Sequence, residues 1–210
     1  ENKMNVTSQG LYVGGIAGYS EISTFENVKN SGTISGKTDV AGILGCSASV
    51  DINKASNSGT VSGTNDTVGG IVAEVVKKKS DASNISECVN EGSVSVTGTA
   101  VDKQYVGGIA GKLMDADAVF TLCANKGAVS GTKYSVAGVI AHSQGSDITK
   151  CYNSGIVTAS NYVAGIITYA GLNTVTISDC MNTGKINGGA SALSAGILQK
   201  HSLYWCCRST

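Results

Sequence analysis

Ala141-His142-Ser143-Gln144-Gly145 is one residue short of a G-x-S-x-G nucleophile elbow, in which a serine on a sharp strand-to-helix turn is activated by a histidine. Such an elbow needs a helix after it and a later imidazole. The run that follows, Ser146-Asp147-Ile148-Thr149, leads into a strand, and the only later histidine, His201, lies in an irregular tail. His142 is therefore expected at the surface, at a corner of the chain. Gly-Gly-x-x-Gly runs at Gly14–Gly18 and Gly107–Gly111 could cradle a phosphate, but neither opens a helix whose N-terminus would hold the anion, and no Lys-Ser or Lys-Thr follows in frame. Backbone geometry explains these glycines better, and no cofactor is expected.

Paired carboxylates would serve glycoside or uronate chemistry if acids of several segments converged on one face. Asp115 and Asp117 fall in an insertion, whereas Asp147 and Asp179 precede the second blocks of adjacent units; Arg208 is the sole arginine. Lys77-Lys78-Lys79 reads as a solvated loop tip. Exposed Tyr105, Tyr134 and Tyr162 each stand one or two residues before a recurring valine; packing against loops is the favoured reading, and an exposed aromatic strip for a sugar is the alternative. Seven cysteines raise the question of disulfides, yet four of them recur at one rank, where stacked thiols pack as small hydrophobes and stay reduced. No C-x-x-C or histidine cluster offers a metal site.

Composition removes whole classes of function. Fifteen basic and fifteen acidic residues cancel, so no long-range field draws in nucleic acid or anionic lipid. No apolar run approaches the ~18 residues of a membrane helix. The chain opens on Glu1 without an initiator methionine, which suits a processed protein or an excised fragment of a longer one, and a monomer is expected. Twenty-eight glycines, no proline and eleven aromatic residues, counting Phe, Trp and Tyr, argue against a thick core.

What positions these residues is a repeat. Val13-Gly14-Gly15-Ile16 returns as Val40-Ala41-Gly42-Ile43, Val68-Gly69-Gly70-Ile71, Val106-Gly107-Gly108-Ile109, Val136-Ala137-Gly138-Val139 and Val163-Ala164-Gly165-Ile166, and in degraded form as Ser194-Ala195-Gly196-Ile197. A second block, complete in Cys88-Val89-Asn90-Glu91-Gly92-Ser93-Val94, follows each good copy. The shortest spacing, Gly15 to Gly42, is 27 residues. Units begin near residues 12, 39, 67, 105, 135, 162 and 193, with 200–210 a possible cap that carries Cys206 and Cys207.

Thr, Val, Ile and Ser dominate each unit, and Asn-x-Gly signals break it into short runs, so strands are expected and helices are not. In the second unit, Val40–Gly45, Val50–Ser56 and Gly59–Gly63 read as three strands. One unit then makes one coil of an all-β, right-handed parallel β-helix of about seven coils and ~27 residues per coil, a rod ~30 Å long at the ~4.8 Å strand spacing. Alternation turns Cys88, Asn90, Gly92 and Val94 inward and Val89, Glu91 and Ser93 outward. Stacking then builds two columns, a thiol column of Cys88, Cys123, Cys151 and Cys180, and an amide ladder of Asn30, Asn57, Asn90, Asn125, Asn153 and Asn182. Valine and isoleucine of the first block are three apart, so the pleat must break between them.

The pattern resembles the GLUG-motif repeat family, on the Gly-Gly-Ile-Ala-Gly runs and the Asn-x-Gly ranks, over about Val13 to Gln199. That resemblance implies a noncatalytic, adhesin-like or spacer module on the bacterial cell surface, with no catalytic residues to carry over. A host or dietary glycan or a surface protein is the expected partner. The alternative is a carbohydrate-active β-helix enzyme, a lyase or glycoside hydrolase, recognisable by acids of several coils lining one groove.

Overall fold

A computed structural model describes residues 1–77, 82–98, 103–114, 117–171 and 173–202, with residues 200–202 described as backbone only. It is an all-β, parallel β-solenoid of about six turns set about 29 residues apart. No helix occurs among the described residues, so none there is long and apolar enough to cross a membrane. The coil spacing exceeds the expected 27 because two coils carry insertions. From one ladder asparagine to the next the steps are 27, 33, 35, 28 and 29 residues.

The second coil has four strands, Val40–Ala41, Leu44–Asn53, Ser56–Asn57 and Val61–Gly63, where three are expected from its sequence. Lys54–Ala55 splits the second expected run, the expected gap at 46–49 is continuous strand, and a further break falls at Gly42–Ile43. There the chain bends from one sheet into the next, so Val40 and Ile43 both point inward and both are fully buried. Equivalent strands stack in register: Val13 pairs with Val40, Val40 with Val68, Val68 with Val106, Val106 with Val136 and Val136 with Val163. Seven strands build each of two sheets, and six- and eleven-stranded sheets complete the wall.

The core is thin, as the composition requires. One strip is almost all valine, with Val40, Val68, Val106, Val136 and Val163 packed on Val61, Val94, Val129 and Val157. The other stacks Ile43, Ile71, Ile109, Val139 and Ile166 beside the thiol column and Phe120. Each such side chain contributes roughly 1.5–3 kcal/mol by leaving water. Glycine is required where coils touch through backbone: a Cβ on Gly92 would overlap the Gly59 carbonyl oxygen below it, and one on Gly42 would strike both the Gly70 carbonyl oxygen and the Asn57 amide.

One corner has no glycine at all. Just before the thiol rank, Asn27, Lys54, Glu87, Leu122, Lys150 and Asp179 all adopt left-handed backbone, with φ between 51° and 56°. This turn repeats in six coils and reverses the chain between two sheets.

Candidate functional site

Inward and outward ranks of the solenoid do different work. Inside, the asparagine ladder forms as the spacing predicts. Each Nδ2 donates to the carbonyl oxygen two residues on and to the Oδ1 of the next coil's asparagine: Asn90 reaches Gly92 at 2.9 Å and Asn125 at 2.8 Å, and Asn125 reaches Gly127 at 2.9 Å and Asn153 at 2.8 Å. Asn30, Asn57 and Asn153 repeat the pattern, Asn182 closes it on Gly184, and Asn2 adds a member outside the first repeat through its 2.7 Å bond to Asn30. Every coil-to-coil bond runs the same way, donor in the earlier coil. The thiols of Cys88, Cys123, Cys151 and Cys180 are free and donate to backbone carbonyl oxygens, as in the 3.2 Å contact of Cys88 with Ser86. Hydrogen bonding to Cys151 and Cys88, together with burial, pushes the Cys123 thiol up. These columns are scaffold.

Outside, a single rank three residues after the first-block isoleucine carries most of the chemistry. Tyr19, Cys46, Glu74, Lys112, His142 and Tyr169 stand on successive coils in register. Beside them Tyr105 and Tyr162 stand in register with Ser135 between them, and Tyr134, one residue earlier, places its ring between theirs, with centroids 5.5 and 5.6 Å apart and near-perpendicular planes. His142 stacks on Tyr169 at 4.5 Å and meets the edge of Tyr105 at 5.0 Å, and Lys112 Nζ sits 5.4 Å from the Tyr105 ring centre. Between the ranks lies an open groove of about 640 Å³ lined by Asp66, Lys103, Tyr105, Lys112, Tyr134, His142, Gln144 and Tyr169 among others.

The groove's charges are graded along the axis. At the end toward the second and third coils, burial and the carboxylates of Glu74 and Asp66 push Asp39 up to about 7. Asp66 is also raised, chiefly by burial, against the pull of Lys112. Lys112 binds Glu74 at 3.3 Å, with both side chains mostly covered. At the other end, burial, reinforced by Lys112 and Lys103, holds His142 down at about 4, so its ring is neutral at pH 7. No group of three or more His, Cys, Asp or Glu that could hold a metal ion occurs among the described residues.

Several expectations change. His142 is not a surface corner residue. It lies in the strand Ile140–Ser143 and is only 6% exposed, because Tyr105 and Tyr169 cover its ring. Ser143 points inward and hydrogen-bonds Ser146 at 2.7 Å, so no elbow presents it. Tyr105, expected to be exposed, is 7% exposed under its neighbours, while Tyr134 and Tyr162 are half-buried. The acids singled out by sequence do not converge: Asp117 pairs with Lys77, Asp147 faces solvent and Asp179 sits in the left-handed corner. The acids that do meet, Asp39, Asp66 and Glu74, escape a sequence reading focused on the second block. A scan of the variable places beside the first block, just before its valine and three residues after its isoleucine, would have found them. Lys78, Lys79, Asp115, Trp205, Cys206, Cys207 and Arg208, with most of the possible cap, lie outside the described residues.

Residues 9–35 match the GLUG motif. The matched GLUG unit covers the first coil, from before Val13 through the ladder residue Asn30. No curated protein matches the chain by sequence. Among solved structures, the crystal structure of a "putative immunoglobulin A1 protease" from Bacteroides ovatus is similar over 94% of this chain, with a TM-score of 0.71 and 18% identity. At that identity the likeness concerns the fold. The match spans 66% of the Bacteroides chain, just under two thirds of its length.

Proposed function

We propose that the chain is a noncatalytic repeat module of an extracellular bacterial surface protein, a rigid scaffold that holds a partner in its outward groove. The observation that carries this reading is the division of labour between ranks. Inward positions repeat from coil to coil and are consumed by hydrogen bonds and packing, whereas the one rank rich in rings and charges changes identity at every coil and faces a groove. A surface-exposed module with an adhesin-like or spacer role fits that arrangement and the GLUG motif.

A second reading, a carbohydrate-active enzyme, draws on Asp39, Asp66 and Glu74, since burial, reinforced by Glu74 and Asp66, keeps Asp39 near a working acid's pKa. Against it, Glu74 is tied to Lys112 and Asp39 is buried, so no carboxylate pair stands open across the groove. Two incubations decide between them. The module is expected to leave plant and host polysaccharides, and immunoglobulin A1, uncleaved on product analysis; cleavage of any of them defeats the noncatalytic reading. Antibody labelling of intact producing cells is expected to detect the chain, and labelling only after lysis contradicts the surface location.

A further inference from the structure

The groove has the chemistry of a site for an uncharged, extended polysaccharide, and we propose that such a chain lies along the solenoid axis with about one sugar ring per coil, from Lys103 to Tyr169. This rests on the binding-module reading above and names its ligand class. Three observations carry it.

The lining is aromatic and polar with little aliphatic surface. Tyr134 and Tyr169 supply accessible ring surface, Tyr105 and His142 pack against them and fix their positions, and Asp66, Lys103 and Gln144 supply donors and acceptors suited to hydroxyl groups. A lipid or an apolar peptide would need the reverse balance. Charge nearly cancels within the groove: Asp66 and Lys103 both line it, and Lys112 is neutralised by Glu74. That arrangement gives a polyanion no cluster of free cations to bind. Finally, rings recur along the axis. His142 and Tyr169 are in register on successive coils, Tyr105 and Tyr162 are in register with Ser135 between them, and Tyr134 stands one residue before Ser135, with centroids 5.5 and 5.6 Å from Tyr105 and Tyr162, so a ligand spanning these coils meets a ring at intervals close to the ~4.8 Å strand spacing. The sugar repeat of an extended β-1,4-linked pyranose chain is of that size. Two other depressions among the described residues lack rings: Ser23, Thr24, Asp51 and Asn84 line one, and Asp117, Ser146 and Asp147 the other.

The test uses the whole chain and soluble hexasaccharides of β-1,4-linked glucose, N-acetylglucosamine, xylose and mannose, with hexagalacturonate as the charged arm, read by titration calorimetry. The proposal expects at least one neutral hexasaccharide to bind and its disaccharide to bind about tenfold or more weakly, since a short ligand loses whole coils of contact. It also expects Tyr134→Ala to weaken binding about tenfold. Lys103→Ala, at an exposed position, supplies a variant whose folding is not in question and should weaken binding as well, while Lys29→Ala, outside the groove, should not. Absence of binding to all four neutral chains at millimolar concentration overturns the proposal, as does tighter binding of hexagalacturonate, or binding that neither groove variant disturbs. Product analysis of the same mixtures separates the two claims: cleavage sinks the noncatalytic reading and leaves the ligand class standing, whereas silence in binding sinks the ligand class alone.

Discussion

Asn125 makes two hydrogen bonds with one amide nitrogen and accepts a third from Asn90, all inside a wall that water does not reach. Truncation to alanine strands a carbonyl oxygen and two neighbouring amides at once. Asn125→Ala should therefore cost on the order of 1–3 kcal/mol in chemical denaturation, with Asn182→Ala, half-buried at the end of the ladder, costing less, and exposed Lys29→Ala almost nothing. The reverse ranking would mean that the ladder is incidental. Leu122 makes a different case: it is 51% exposed and holds φ at 56°, a conformation that costs an L-residue about 1–2 kcal/mol. Leu122→Gly should be neutral to stabilising despite the lost apolar side chain, and Leu122→Val destabilising, because a β-branched residue tolerates that backbone least. The ladder could be read from sequence because asparagine recurs at a fixed rank beside glycine. The left-handed corner could not, since Lys, Glu and Leu share it with Asn and Asp, and only the last two favour a positive φ.

At the scale of the strand, parity in the second block follows directly from alternation, and Cys88, Asn90, Gly92 and Val94 are buried as their spacing requires. Strand number was less legible. A two-residue strand such as Ser56–Asn57 leaves no period to count, and the bend at Gly42–Ile43 divides what reads as one run. The groove was half legible: its tyrosines are visible one by one, but their partners Glu74, Lys112, His142 and Tyr169 sit 27 to 38 residues apart and meet only because the strands stack in register. That stacking sets two opposed pH dependences. Asp39, facing Glu74, Asp66 and Lys112, has a folded pKa near 7, against 3.8 as its ordinary value, so its contribution to stability is present below about pH 4 and is lost as pH rises to 7. His142, facing Lys112 and Lys103, has a folded pKa near 4, against 6.5, so its contribution is present above about pH 6.5 and is lost as pH falls to 4. Between pH 4 and 6.5 the two slopes oppose each other. Denaturation of His142→Gln should show stability rising as pH falls through that window, and Asp39→Asn should show it falling, with the parent chain between them. Parallel slopes in all three proteins would remove the burial on which both shifts depend.

The molecule as a whole is a stack in which each coil is held by its neighbours, so its wall should open cooperatively. Cys46, Cys88, Cys123 and Cys151 are buried and reduced, and native protein should leave them unlabelled by a thiol reagent that modifies them fully in denaturant. Labelling of the column under native conditions would place it outside the core. The central claim is that scaffold and chemistry occupy separate ranks, so that the outward one can be rewritten without touching the fold. A single variant tests this directly: Glu74→Ser, Lys112→Ser, His142→Ser and Tyr169→Ser combined, which empties the outward rank of four coils and removes both partners of the ion pair together. Circular dichroism melting and hexasaccharide titration on the same sample give the answer. Retention of a cooperative all-β melt with loss of oligosaccharide binding is the predicted result, and loss of the fold, or binding that survives the rewriting, would contradict the account.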